Sequence, residues 1–418
     1  MRDLRRSNRS RVLIELYMNG PMTRQEVGLA AEVSAATVSN LVGELITQGV
    51  VVEAGVEESD GGRPRALLQV DASYGHVVGV DVGETAVLVE LFDLSLEVLA
   101  SHSCTPDSDG RDVDEVVAAI LDGLHKVIAQ AGVSPDSIIG VGVGVPGLVE
   151  RGDDAVVHAQ TVGWDGIPIG KMLRAGTSLH AGTSLPLVVD NGAKAFGQAE
   201  AWFGAARSAS NAIVLLLGGG AGTAIITDGQ LYRGSFSSAG EWGHTTVAAD
   251  GRLCRCGARG CLEAYVGAAA VVARYEELRG ETQPNDHPDV VAQILAIAAA
   301  GPDDAPAAQL LEETATYLGT GIADLINLFN PERIVVGGWM GAILGDKLLP
   351  RVRQVASEHA LKLPFSHVAI VAAELGRDAV ALGAATLPIS RFLASGAIPV
   401  QSKPVGGRRP TIEVGRRS

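Results

Sequence analysis

The chain has 418 residues, 47% of them hydrophobic and 19% charged, with 52 glycines and 4 cysteines. That is about three domains on a scale of roughly 150 residues each, and the balance excludes a disordered chain and a disulfide scaffold, while four cysteines and the basic N-terminus MRDLRRSNRS argue for a reducing compartment. The net charge of −15 is uneven: residues 1–11 and 403–418 hold ten Lys/Arg against two Asp/Glu, leaving 23 against 46 between them, so an acidic body can still carry a DNA-binding end while its repulsion limits where DNA can lie.

Residues 1–72 read as a winged helix-turn-helix. A helix over Arg6–Met18 places Leu13, Leu16 and Tyr17 on one face and stops at Asn19-Gly20-Pro21. Thr23-Arg24-Gln25-Glu26 fits a capping box for a short second helix. After a turn at Glu32–Ser34, a third helix buries Val38, Leu41, Val42, Leu45 and Ile46 and ends at Gly49. Its exposed first turns carry Ala35, Ala36, Thr37, Ser39 and Asn40, side chains small or polar enough for a helix to approach base edges in a major groove. Val50–Val52 and Ala66–Val70 read as strands around a wing, Glu57–Arg65, whose Gly61-Gly62-Arg63-Pro64-Arg65 offers Arg63 and Arg65 to a minor groove. Three short amphipathic helices also suit a dimerisation or docking module; the coincidence of helix spacing, arginines and wing favours DNA.

Residues 76–393 read as two α/β lobes. Val77–Gly83 and Ala86–Phe92 form a strand, tight turn and strand, followed by a helix (Val113–Ala131) and an apolar strand (Ile138–Val145). A similar strand and turn recurs at Ala212–Ile226, and a strand from Arg333 to Val336 ends in Gly337-Gly338, a twofold rhythm with glycine turns facing a shared cleft. The longest apolar stretch, Ala212–Thr227, is broken by four glycines and falls short of the ~18 to 20 apolar residues of a membrane span. No membrane partner is expected, and the predicted location is cytoplasmic. The tandem hexapeptides of residues 175–186 read as a surface loop extension, and 394–418 as a disordered basic tail.

The strongest chemical signal is Cys254-Arg255-Cys256-Gly257-Ala258-Arg259-Gly260-Cys261, preceded by His244. Three thiolates and an imidazole on glycine-rich turns make a closed tetrahedral set for structural Zn2+ spanning 244–261, with no open position for a catalytic water. Cys104, isolated in a polar stretch, reads as an ordinary free thiol. Glu241 and Glu263 flank the loop, so a metal-fixed platform presents carboxylates able to bond hydroxyls.

These motifs, with Gly240-Glu241-Trp242-Gly243-His244, Val145-Pro146-Gly147 and Asn330-Pro331-Glu332-Arg333-Ile334-Val335-Val336-Gly337-Gly338, resemble the ROK family (repressor, open reading frame, kinase), in its transcriptional-regulator branch, over about Leu4–Leu393. The resemblance implies a fold class of α/β, a winged helix-turn-helix followed by a two-lobed actin-like ATPase domain that senses sugar. It implies an effector site of Asn191, Glu241, His244 and Glu263, with His244 touching both zinc and sugar. Partners implied are operator DNA and a sugar or sugar phosphate effector, in a homodimer or homotetramer whose two heads read paired half-sites.

Departures from the family's kinases argue against an enzyme. The first phosphate turn, Asp-x-Gly-Gly-Thr in the kinases, is Asp81-Val82-Gly83-Glu84-Thr85; the second, Gly-Thr-Gly, is Gly218-Gly219-Gly220; the third glycine of the adenosine-side motif is Trp339. The family's Glu-Asn-Asp-Ala-Asn aligns on Asp190-Asn191-Gly192-Ala193-Lys194, leaving glycine where the base stands, and an expected asparagine is Thr161. Loss of a positioned base costs ~10² to 10⁴-fold. The expected function is a sugar-responsive repressor with no catalytic residue; the alternative is an active ATP-dependent sugar kinase fused to a DNA-binding head.

Overall fold

The computed structural model describes residues 2–58, 64–83, 86–107, 112–152, 154–176, 185–280, 289–300, 304–376 and 378–397. Helix α1 (Arg2–Asn19) starts at Arg2 rather than Arg6 and stops where Gly20-Pro21 ends it; β1 (Met22–Thr23) follows. Helix α2 (Arg24–Ala30) opens on the expected box: the Thr23 hydroxyl accepts from the Glu26 amide, and Glu26 Oε2 accepts from the Thr23 amide at 2.7 Å. Helix α3 (Ala35–Thr47) is capped by Ser34, and the chain turns through 114° between α2 and α3, within the roughly 90–120° of helix-turn-helix pairs. Strands β2 (Val51–Glu57) and β3 (Arg65–Val70) pair antiparallel, with β1 on the other edge of β3. Glu57 and Arg65, expected in the wing loop, are instead opposed across the strands; Arg63 lies outside the described residues.

The body contains two sheets of one design. In the first, β4 (His76–Val82), β5 (Val87–Asp93) and β6 (Val98–Cys104) form an antiparallel meander, α4 (Val113–Ala131) crosses back, and β7 (Ile138–Val145) joins β4 in parallel. A small antiparallel sheet of β8 (Leu148–Glu150), β9 (Val156–Ala159) and β10 (Trp164–Pro168) leads to α5 (Ile169–Gly176). Strand β11 (Leu187–Asn191) completes the order β11-β7-β4-β5-β6, and α6 (Gly192–Phe203) enters the second lobe. There β12 (Ala212–Leu217), β13 (Ala221–Thr227) and β14 (Gln230–Tyr232) repeat the meander. Helices α7 (Glu263–Val266), α8 (Ala268–Arg279), α9 (Val290–Ala299) and α10 (Ala305–Phe329) precede β15 (Arg333–Gly337), α11 (Gly338–His359), α12 (Lys362–His367) and β16 (Ala369–Ala372). The resulting order β14-β13-β12-β15-β16 mirrors the first sheet, a meander on one side of the leading strand and parallel strands on the other, so the twofold rhythm of the sequence is a repeated topology.

Helix α13 (Ala379–Ser395) ties the parts together. It lies so close to the first sheet that a Cβ on Gly79 or Gly142 would fall 2.0 or 1.8 Å from the carbonyl oxygens of Ala381 and Ala384, an approach that glycine alone permits. Its far end enters the head, where Ile389, Phe392, Leu393 and Ala397 share a buried cluster with Leu13, Leu16, Leu41 and Leu45. The head is therefore not a separately cored unit ending at residue 72. Residues 394–397 belong to α13 and its cap; 398–418, and with them the basic tail, lie outside the described residues, as do 177–184 of the tandem repeat.

The basic N-terminus is also not all available to phosphates. Arg9 is only 6% exposed, its Nε donating to the Gly396 carbonyl at 2.5 Å and its terminal nitrogen to Gln48 Oε1 at 2.5 Å. Arg5 pairs with Glu44. Among the described residues no single helix is long and apolar enough to cross a membrane.

Candidate functional site

After β14 the loop folds back on itself through isolated bridges between Thr246 and Cys261 and between Leu253 and Arg259. Gly260 makes this possible: its φ is +76°, and a Cβ there would fall 1.6 Å from the Ala248 carbonyl oxygen. The fold brings ligand atoms of His244, Cys254, Cys256 and Cys261 within 4.8 Å of one another. Cys256 Sγ lies 3.7 Å from Cys261 Sγ, and Cys254 Sγ 3.7 Å from His244 Nδ1. Tetrahedral zinc, with bonds of about 2.3 Å to sulfur and about 2.0 Å to nitrogen, would separate two sulfurs by about 3.8 Å and sulfur from nitrogen by about 3.6 Å. The four groups thus fit a structural zinc ion. Burial and the neighbouring thiols push the Cys261 thiol up to about 12, so three thiolates coexist here only around a cation. Cys104, at the end of β6, is a free, half-buried cysteine.

The metal loop delivers Glu263 to the start of α7, where it is 7% exposed. Its Oε2 accepts from the Ala221 amide at 3.0 Å, whereas its Oε1 is buried without a hydrogen-bond partner, the Arg255 guanidinium standing off at 3.7 Å. Burial raises the pKa of Glu241, Lys194 and His244 oppose that rise, and Glu263 adds to it, so His244 and Glu263 both lie near enough for their charges to reach Glu241. Asn191, the fourth expected effector residue, caps α6: its Oδ1 accepts from the Lys194 amide at 3.1 Å, and its Nδ2 donates to the Gly147 carbonyl at 2.7 Å. Asp190 beside it is 1% exposed and bonded to Arg233 at 2.5 Å.

The kinase-type positions are altered in space as well as in sequence. A Cβ on Gly192 would meet nothing closer than Val380 at 3.5 Å, so neither space nor backbone geometry imposes glycine where the base would stand. The Trp339 indole lies against the second glycine turn, its Nε1 2.8 Å from the place a Cβ on Gly218 would take. Asp81, at the first turn, is pushed up to about 7 by burial and by the charges of Asp378 and Glu90; Glu84 and Thr85 lie outside the described residues. Thr161 belongs to a single 3-10 turn, Gln160–Val162.

In the head, Ala35, Ala36, Ser39 and Asn40 are exposed on α3, and Arg65 is exposed at the start of β3. Thr37 is half-buried and its hydroxyl is engaged with Ser34 Oγ at 2.9 Å, so it serves the helix cap. Sequence reasoning passed over Lys194, a residue 1% exposed in the first turn of α6; the legible signal was a lysine aligned with the family's second asparagine.

The sequence model of the ROK family matches residues 77–391. A xylose repressor of Caldicellulosiruptor bescii is 31% identical over 395 residues, covering 93% of this chain and 97% of the relative. A glucokinase of Halalkalibacterium halodurans is 32% identical over 315 residues, 73% of this chain and 92% of the relative. A solved ROK family transcriptional regulator, described as a homologue of the Escherichia coli MLC protein, superposes with a TM-score of 0.77 at 25% identity, covering 94% of this chain and 98% of that one.

Proposed function

Since the chain belongs to the ROK family, we propose that it is a sugar-responsive transcriptional regulator, a repressor that binds operator DNA and carries a non-catalytic kinase-type cleft as its sensor. The similarity to the xylose repressor runs through the head, whereas the similarity to the glucokinase takes in only about the body's length. Gly192 offers no proton acceptor, and Trp339 covers the glycine turn that a nucleotide would need.

In this reading the exposed face of α3, with Ala35, Ala36, Ser39 and Asn40, enters the major groove, and Arg65 with Arg63 follows the adjacent minor groove. Glu241 and Glu263 accept from effector hydroxyls, Glu263 through its unpartnered Oε1. With Nδ1 turned to Cys254, His244 keeps Nε2 for the effector, and Asn191 holds the first turn of α6 against the ligand. Zinc on His244, Cys254, Cys256 and Cys261 clamps the loop that carries Glu263. One head reads too few bases for an operator, so the working form is a homodimer or homotetramer, acting in the cytoplasm where its DNA lies.

The observation that carries the reading is the course of α13. Val380 in its first turn lies beside Gly192 and Gly144, and its C-terminal Gly396 is gripped by Arg9, which also holds Gln48 at the end of α3. A ligand that shifts α6 or β7 moves a helix whose other end sets the recognition helix, and it alters DNA affinity by its differential affinity for the two arrangements. The test is footprinting on DNA upstream of the protein's own gene at physiological salt, with and without a panel of sugars. A protected site that responds to sugar is expected; no specific protection, or sugar-dependent ADP release by the wild-type chain, overturns the reading.

A further inference from the structure

We infer that the effector carries an anionic substituent, a phosphate or a carboxylate, which seats on the first turn of α6 against Lys194. The inference rests on the cleft being the effector site. Against the family's Glu-Asn-Asp-Ala-Asn, this chain has lost one carboxylate at Gly192 and gained one ammonium at Lys194, making the floor of the cleft two charges more positive. Lys194 is 1% exposed. Among the described residues its ammonium has no hydrogen-bond acceptor and no carboxylate oxygen within 4.0 Å, whereas its neighbour Asp190 is paired with Arg233 at 2.5 Å.

A buried ammonium without a partner is costly unless an anion completes its surroundings. Burial lowers the Lys194 pKa, Glu241 and Asp190 hold it up, and Arg233 and Arg151 lower it further, so the charges it feels are those of the cleft and an anion brought beside it favours the ammonium. Asp190 is already satisfied by Arg233, and Glu241 stands beyond bonding distance. Beside the lysine, the amides of Gly192 and Ala193 open α6, a 12-residue helix, and have no acceptor within their own helix. The N-terminus of α6 and the ammonium carried on its first turn together suit a negatively charged group. Glu241 and Glu263, which repel such a group, remain for the sugar hydroxyls. A neutral sugar would leave Lys194 as it is.

The test is calorimetry on the zinc-loaded full chain with glucose, glucose 6-phosphate and glucuronate, and with N-acetylglucosamine and its 6-phosphate, on wild type and Lys194→Met. Operator affinity is measured alongside with each sugar. An anionic sugar is expected to bind at least tenfold tighter than its neutral twin and to lose at least tenfold in Lys194→Met, a variant that keeps or raises the thermal midpoint because it buries a thioether in place of an ammonium. The phosphate and carboxylate arms tell the two anions apart. If neutral sugars bind as tightly as their anionic twins, or if Lys194→Met leaves anionic binding unchanged, the inference falls while sugar-dependent operator binding still supports a regulator. If no sugar of either kind binds or alters operator affinity, the inference and the regulator reading fall together.

Discussion

Replacing Arg9 by Met isolates the joint between α13 and α3. The side chain makes two bonds from a cation, to the Gly396 carbonyl and to Gln48 Oε1, each 2.5 Å long, the first buried and the second partly so. Bonds from charged donors contribute about 1.5–3 kcal/mol each. Methionine keeps most of the packing, and water can reach part of the freed groups, so the lower bound, about 3 kcal/mol for the pair, is the expected loss. At 1.4 kcal/mol per tenfold this is roughly a hundredfold increase in local opening. Hydrogen exchange read by mass spectrometry on the DNA-free protein should show it in peptides covering residues 35–50 and 389–397, with the β4–β5 hairpin, residues 76–93, unchanged. Unaltered protection in both segments would refute the joint, and with it the route by which the cleft is argued to govern the head.

Zinc measured by mass spectrometry should be one ion per chain, and Cys256→Ser should abolish it and lower the thermal midpoint while far-ultraviolet circular dichroism persists; a metal-free wild type of equal stability would contradict the site. Gly142→Ala forces a methyl to within 1.8 Å of the Ala384 carbonyl and should cost several kcal/mol or prevent folding, whereas Gly345→Ala, in open space on α11, should stabilise by up to about 1 kcal/mol; equal effects would show that α13 does not dock this closely. Trp339→Gly should strengthen binding of Mg-ATP at least tenfold in calorimetry, and Gly192→Asp alone should yield no ADP because the indole still covers Gly218. Asp81 ionises near pH 4 in the unfolded chain but at about 7 when folded, so the folded state retains a proton that the unfolded state releases and stability falls as pH rises through that interval. Asp81→Asn should therefore raise the thermal midpoint at pH 8 and leave it nearly unchanged at pH 4; a uniform shift at both would rule out titration as the cause.

The features legible from the sequence were those set locally. Thr23 and Glu26 define a cap within four residues, helical spacing gave α3 its buried face, and the strand at Ile138–Val145 is continuously apolar because both of its faces are covered, by α13 at Gly140 and Gly142 and by the core around Val141, Val143 and Val145. The thiol-rich loop was readable because three of its metal groups lie within one short turn system. Strand β6 was missed because Ser101, His102 and Ser103 lie on a partly exposed edge and give no apolar alternation. Composition counted Arg9 as a free cation, since only tertiary packing shows that it is buried. Neither the close approach of α13 to Gly79 and Gly142 nor the isolation of Lys194 leaves a local trace, because both depend on residues brought together from distant parts of the chain.

Because α13 supplies part of the head's core, the reading module made first on the ribosome waits for residues 379–397 to emerge before its hydrophobic interior closes. A nascent or prematurely stopped chain carries an unfinished recognition surface, so a truncated product does not compete for the genome with the whole regulator. Excising residues 1–72 as a portable DNA-binding module would fail for the same reason, unless the segment that fills its floor is grafted with it.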